Sequence, residues 1–295
     1  MAERAGDQAA GLRRLFGRER MRIVTFAAGS VGVGKSVTVA NLAAALARQG
    51  KETLIIDENA DDQVAALFGS VGRHDLQEVL DRRRKLADTL LTLAPGVRLL
   101  RAERAMRSLA GLADAQRDAL LESIGGMERP ADVILIDASS SYPLGFSPLA
   151  LAADETVMVL APTSSAITEA YALIKKLSLG FARRRFRLLV NKVRGADEAE
   201  AIHANIAHVT KSRGLARTEF AGHVPLDEHL RQAERLCQPV TALFPDAPAA
   251  AAFRQLAGDL LCWPQPDGDD GGFEHFVQQL IHLSQRIDCT AIHAR

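Results

Sequence analysis

Gly29-Ser30-Val31-Gly32-Val33-Gly34-Lys35-Ser36 fits the pattern G-x-x-x-x-G-K-[ST]. It follows an apolar run, Arg22–Ala27 (RIVTFA), that reads as a buried strand. It opens a helix-forming stretch, Ser36–Gln49, with Gly50 as its stop. A strand, a glycine-rich loop and a helix in that order bind phosphate. Glycines let the backbone curl so that successive N–H groups point inward at phosphate oxygens. The helix N-terminus adds a favourable dipole. Lys35 can reach β- and γ-phosphates, and the Ser36 hydroxyl can ligand Mg2+. Gly29, Gly32, Val33, Gly34, Lys35, Ser36 and Val37 are therefore the candidate phosphate ligands. The bland alternative is a glycine-rich turn that matches by accident, and the agreement of strand, loop and helix argues against it.

Two carboxylates supply a metal side. Asp57 ends Thr53–Asp57 (TLIID) and Asp137 ends Val133–Asp137 (VILID), both apolar runs of strand character. In a parallel sheet the carboxyl ends of strands line the ligand crevice. An Asp there can hold Mg2+ or its waters, or it can merely cap a helix or form a turn. Beside the phosphate loop, the metal role for Asp137 gains most.

The elements around these residues alternate. Strands are expected at 22–27, 53–57, 97–101, 133–137, 155–161, 186–191 and 220–224. Helices are expected at 36–49, 114–123, 167–181, 197–213, 227–236 and 249–261, with 61–92 mostly helical. Short apolar strands between helices predict an α/β fold: a mostly parallel sheet with helices on both faces, in three layers. The layout is a tail at 1–20, one domain at 21–263, a Pro/Gly/Asp linker at 264–272 and an amphipathic helix at 273–288.

Composition narrows the classes. The 295 residues carry 36 Lys+Arg and 36 Asp+Glu, so no whole-chain charge points to nucleic acid or membrane. Apolar residues at 47% exclude a disordered polar chain. Cys237, Cys262 and Cys289 are scattered and odd in number, which argues against a disulfide framework, a zinc site or an iron–sulfur cluster, and suits a reducing cytosol. The N-terminus lacks a signal-peptide apolar region, and no run is long enough to span a bilayer.

The order and spacing of these motifs resemble the MinD/ParA class of P-loop ATPases. Within it, Asp7-Gln8-Ala9-Ala10-Gly11-Leu12-Arg13 resembles the N-terminal signature of the FlhG (FleN) family of MinD-like flagellar regulators. Pro162–Lys175, Leu189–Val193 (LVNKV), Gly222–Leu230 and Ala233–Val240 resemble further segments of that family. The likeness spans roughly residues 7–262. It implies ATP with Mg2+ as ligands, Asn191 and Pro225 on the adenine side, and a face-to-face homodimer with ATP. It also implies an FlhF-like GTPase as partner of the tail through Asp7, Gln8, Leu12 and Arg13, and flagellar switch components as further partners.

Two departures bear on hydrolysis. The class carries a second lysine early in the loop, which crosses the dimer interface to the partner's phosphates; here that position is Ser30, followed by Val31. The class also has a D-x-D pair whose second Asp orients the attacking water; here it is Asp57-Glu58-Asn59. The catalytic positions are thus Lys35, Asp57 and Asn59, and an amide at 59 cannot take a proton as a carboxylate does. A nucleotide switch with slow intrinsic hydrolysis is the expectation, unless Glu58, Asp61, Asp62 or a lysine from elsewhere substitutes.

The segment 273–288 gathers Phe273, Phe276, Val277, Leu280, Ile281, Leu283 and Ile287 in one arc. It matches in position the membrane-targeting helix of MinD and FlhG, yet its polar face has only Arg286 as a fixed cation. Lipid, its own domain and a partner groove are its three candidate contacts. Lys175, Lys176, Arg183, Arg184, Arg185 and Arg187 could serve DNA as in a ParA-like partitioning ATPase, but in a neutral domain a solvated face is preferred. The expected location is cytoplasmic, with peripheral contact at the inner membrane open. A nucleotide-free scaffold and a metabolic P-loop enzyme complete the rivals.

Overall fold

The computed structural model describes residues 21–108, 113, 115, 116, 118, 119, 123, 131–139, 142, 146–264, 276, 278–280, 282 and 283. The expected tail, nearly all of the linker and half of the helix expected at 114–123 lie outside them.

Eight strands form one sheet: β1 (Arg22–Ala27), β2 (Thr53–Asp57), β3 (Leu91–Ala94), β4 (Val97–Arg101), β5 (Val133–Asp137), β6 (Glu155–Leu160), β7 (Arg185–Val193) and β8 (Arg217–Pro225). Their spatial order is β3-β4-β2-β5-β1-β6-β7-β8. Every neighbouring pair is parallel except β3–β4. The expected α/β fold with helices on both faces is what the chain adopts, and all seven expected strands are present.

The central strands are buried on both faces, which is why they read as unbroken apolar runs. Alternate residues of β5 divide between two cores: Ile134 and Ile136 pack on one side, Val133 and Leu135 on the other. The helices, numbered in chain order, are α1 (Lys35–Arg48), α2 (Gln63–Ala66), α3 (Leu76–Leu80), α4 (Leu86–Thr89), α5 (Glu103–Ser108), α6 (Pro148–Ala152), α7 (Ser164–Phe181), α8 (Ala196–Ser212), α9 (Glu228–Arg235), α10 (Val240–Leu243) and α11 (Pro248–Cys262). α1 and α11 supply Leu42, Leu46, Phe253 and Leu260 to one core, while α7 and α8 supply Ile174, Leu177 and Ile206 to the other.

The stretch 61–92 departs from the helical expectation. It breaks into α2, α3 and α4, and its end passes into β3, which turns back on β4. The cause is local: Gly69 with φ +64 and Arg82 with φ +56 interrupt any continuous helix. The Asp75 side chain then caps α3 and accepts from the backbone of Arg104 and Ala105, tying the short helices to α5.

At the amino end of β7, Arg187 lies between Glu155 of β6 and Glu219 of β8 at 3.2 and 2.9 Å. Its guanidinium also stacks on the Trp263 ring, 4.2 Å from the centroid. Arg183 donates to the carbonyls of Leu151 and Ala153, and Arg184 to those of Gly214 and Leu215. Half of the basic cluster is therefore structural, and Lys175, Lys176 and Arg185 remain exposed.

Of the C-terminal segment, Phe276 and Leu280 are buried in the core on the α7 side, with Leu283 packed against it. Phe273, Val277 and Ile281 lie outside the residues whose side chains are described. Among the described residues, no helix is long and apolar enough to cross a membrane.

Candidate functional site

Parallel pairing of β1, β5 and β2 brings the expected site residues to one edge of the sheet. Asp57 and Asp137 are direct register partners at the ends of β2 and β5, and Phe26 of β1 is the partner of Asp137 on its other side. The loop 29–34 leaves β1 at that edge and enters α1 through Gly34, whose left-handed φ of +87 suits only glycine well. No side chain caps α1, so its first amides stay available to an anion. Gly29 is needed for a different reason: a Cβ there would stand 2.3 Å from the backbone carbon of Glu169 in α7.

Lys35 forms a short ion pair with Asp137 Oδ1, with Asp137 fully buried. Asn59 places its amide between the carboxylates, donating to Asp57 Oδ1 at 2.9 Å and to Asp137 Oδ2 at 3.0 Å. It thus bridges the two acids. Two buried carboxylates side by side repel, and the Asn59 backbone amide, which donates to Asp57 Oδ1 at 2.9 Å, its side chain and Lys35 together offset that repulsion.

Burial, and then the Asp137 charge, push the Asp57 carboxyl up to about 7, against the pull of Asn59 and Lys35. Asp57 Oδ2 is buried with no hydrogen-bond partner. An unmet carboxylate oxygen beside Asp137 and Lys35 fits a divalent cation carrying its own waters. Among the described residues no group of three or more His, Cys, Asp or Glu could hold a metal alone, so Mg2+ would depend on phosphate oxygens for the rest of its shell. Ser36, Asp57 and Asp137 are the residues that would hold it. The Ser30 hydroxyl is likewise buried and unpartnered.

Glu58, the neighbour that could substitute for the missing carboxylate, is engaged by the domain itself. It is buried, accepts from the Ser139 amide at 3.0 Å and takes a short hydrogen bond from the Ser147 hydroxyl. Burial pushes its carboxyl up to about 7. Ser147 in turn caps α6 by accepting from Ala150 at 2.8 Å. Asp62 is taken by Arg101 at 2.6 Å, which leaves Asp61 exposed. The link from Glu58 to Ser139 and Ser147 had no sequence signal, since serines of a loop carry no periodicity.

The other expected residues lie across the crevice. Asn191 is buried at the carboxyl end of β7; its Nδ2 donates to the Val33 carbonyl at 2.8 Å and its Oδ1 accepts from the Lys192 amide at 2.9 Å. The side chain expected to meet the base therefore holds the phosphate loop. Pro225 ends β8 opposite Val193 and is half-buried, and Val37 packs partly against the core on the α1 side. Lys192, absent from the expected site, donates from Nζ to the Gly32 carbonyl at 2.7 Å. Its only hint was a lysine directly after Asn191. Asp7, Gln8, Leu12 and Arg13 lie outside the described residues.

The family model "CobQ/CobB/MinD/ParA nucleotide binding domain" matches residues 24–240. The chain is similar to the antiactivator FleN of Pseudomonas aeruginosa, 29% identical over 262 residues, covering 88% of this chain and 94% of that one. It is also similar to the flagellum site-determining protein YlxH of Helicobacter pylori, 26% identical with 81% and 82% covered. Among solved structures, MinD in the MinC:MinD complex of Aquifex aeolicus shares the fold, with a TM-score of 0.64 at 22% identity, covering 84% of this chain and 98% of that one. The cell-division ATPase MinD of Pyrococcus furiosus does so with a TM-score of 0.63 at 21% identity, covering 81% and 98%. With its phosphate-loop sequence at the carboxyl edge of a parallel sheet and a family match over most of its length, the chain belongs to the CobQ/CobB/MinD/ParA nucleotide-binding family.

Proposed function

We propose that this chain is an ATP-binding, MinD-like regulator of flagellar assembly, an FlhG-like switch that dimerises with ATP and hydrolyses it slowly. One observation carries the reading: the parts that would bind phosphate are complete, while the two that would speed hydrolysis are replaced by uncharged groups. Lys35, Ser36 and the loop amides stand at the edge shared with Asp57 and Asp137. Position 30 offers a serine hydroxyl in place of a lysine, and position 59 an amide that bridges two acids. When bound, Mg2+ would neutralise charge between the β- and γ-phosphates. Lys35 would exchange Asp137 for phosphate. A cation supplied from a partner is worth on the order of 10³–10⁵ in rate in related NTPases, and Ser30 cannot supply one.

The flagellar part rests on the FleN and YlxH relatives and on the tail signature at Asp7–Arg13. An FlhF-like GTPase at the tail and flagellar switch components are the partners this reading assigns. The location is cytoplasmic. The burial of Phe276 and Leu280 favours docking of the C-terminal helix on its own domain over lipid contact. A ParA-like DNA function has less support, since Arg183, Arg184 and Arg187 are held by the domain's own carbonyls and carboxylates.

The test measures ATP affinity, dimerisation and phosphate release together on the full chain with Mg2+, with Lys35→Ala as control. The expected result is micromolar or tighter binding, dimers only with ATP, little release, and loss of binding by more than about 100-fold in the variant. Rapid release would overturn slow hydrolysis. Absence of binding would leave only a scaffold.

A further inference from the structure

The carboxyl end of β7 carries a feature that the nucleotide-binding reading does not use. Asn191 pairs with Val224 and Val193 with Pro225, so Lys192 is an extra residue in β7, a bulge against β8. Its φ is +61, a left-handed conformation that lysine rarely adopts. In an even strand, residues 191 and 192 would point to opposite faces. The bulge re-aims the second side chain, as bulges beside functional sites do. Asn191 Nδ2 then reaches the Val33 carbonyl and Lys192 Nζ the Gly32 carbonyl, at 2.8 and 2.7 Å.

Two consecutive loop carbonyls are thus held from one strand end. In a trans peptide, C=O and N–H point in opposite directions. Fixing the carbonyls of Gly32 and Val33 toward β7 turns the amides of Val33 and Gly34 away from it. We propose that Asn191 and the bulged Lys192 form a two-donor clasp that sets the phosphate loop in its anion-binding conformation before any nucleotide arrives. Both are positioning residues, acting through the loop amides. The clasp rests on the nucleotide-binding reading for its purpose, though not for its geometry. Gly34 belongs to the same contact, since a Cβ there would lie 2.3 Å from Asn191 Nδ2. Lys192 also brings a positive charge to the outside of a loop whose own position 30 has none.

Lys192→Gly is the informative variant. It suits the left-handed backbone while removing the donor with its stem and charge, and the relief of strain is expected to keep the melting temperature near wild type. Two probes are titrated into the full-length variant: ATP, and inorganic tripolyphosphate, which has no base. Affinity for both is expected to fall roughly 3- to 10-fold, the range for losing one charge-assisted hydrogen bond at an exposed site. Lys192→Arg, which keeps a donor, is expected to recover most of it. With ¹⁵N-glycine labelling, the Gly34 amide resonance of nucleotide-free protein is expected to shift in Lys192→Gly and to return toward wild type in Lys192→Arg. Loss of ATP affinity without loss of tripolyphosphate affinity would overturn the clasp in favour of a contact with base or sugar. An unmoved Gly34 resonance would overturn it in favour of direct contact between Lys192 and phosphate. Wild-type protein that binds neither probe would refute the nucleotide reading instead, and the Gly34 resonance would still decide the clasp.

Discussion

The phosphate loop and the end of β2 stand at the same edge of the sheet but meet their polar needs in opposite ways. The loop's carbonyls at Gly32 and Val33 are held from outside by Lys192 and Asn191, and none of its side chains caps the first turn of α1. The end of β2 is closed on itself: Asn59 spans Asp57 and Asp137, while Glu58 turns inward to Ser139 and Ser147. Backbone amides are left for a ligand in one region, while in the other the side chains pair with one another and leave Asp57 Oδ2 as the unmet oxygen. On the proposed function, a chain built this way would favour binding and slow the water chemistry through separate groups.

The largest effect that would break this contrast is expected from Gly34→Ala. The added Cβ must adopt φ near +87 and meets Asn191 Nδ2 at 2.3 Å. Strain and overpacking together are expected to cost about 2–4 kcal/mol of stability. Thermal unfolding with and without ATP reads both losses, and a variant with wild-type stability and ATP affinity would show that the loop is not held.

Asn59→Asp tests the other region. It restores the acidic pair of the MinD/ParA class but replaces a donor by a third carboxylate beside Asp57 and Asp137. In nucleotide-free protein at pH 7.5 a loss of about 1–3 kcal/mol is expected. Part of it should return with Mg2+ and ATP, together with faster phosphate release. Unchanged stability would mean that Asn59 does not bridge the acids.

The smallest effect is a pH slope. Asp57 and Glu58 both sit near 7 in the folded chain, raised chiefly by burial from ordinary values of 3.8 and 4.5. Between those values and 7 the folded state holds more protons than the unfolded one, so stability falls as pH rises. The contribution is full below about pH 4 and is lost as pH passes through 7. The melting temperature of nucleotide-free protein should therefore drop from pH 5.5 to pH 8. Glu58→Gln should flatten the drop, and an equal slope in that variant would place the titration elsewhere.

Much of this was legible in the sequence because its signals are local. Buried parallel strands give unbroken apolar runs, and Gly29–Ser36 is a contiguous motif between two such elements. What stayed hidden depends on contacts between distant segments. The Asn59 amide turns inward because Asp137, 78 positions away, needs a donor. Glu58 is engaged by Ser147, 89 positions away. β3 reads as the end of a helix because its apolar residues are too few to fix a period, and only pairing with β4 makes it a strand.

Arg187 stacked on Trp263 has a practical consequence for optical work on this chain. Trp263 is its single tryptophan, so intrinsic emission comes from one spot, near the amino end of β7. That spot is about 13 Å along the strand from Asn191, at roughly 3.3 Å per residue. A quenching signal on adding ATP would report a change carried through the domain or dimerisation rather than ligand contact. A silent tryptophan would leave emission as a clean monitor of global unfolding, free of any contribution from the ligand.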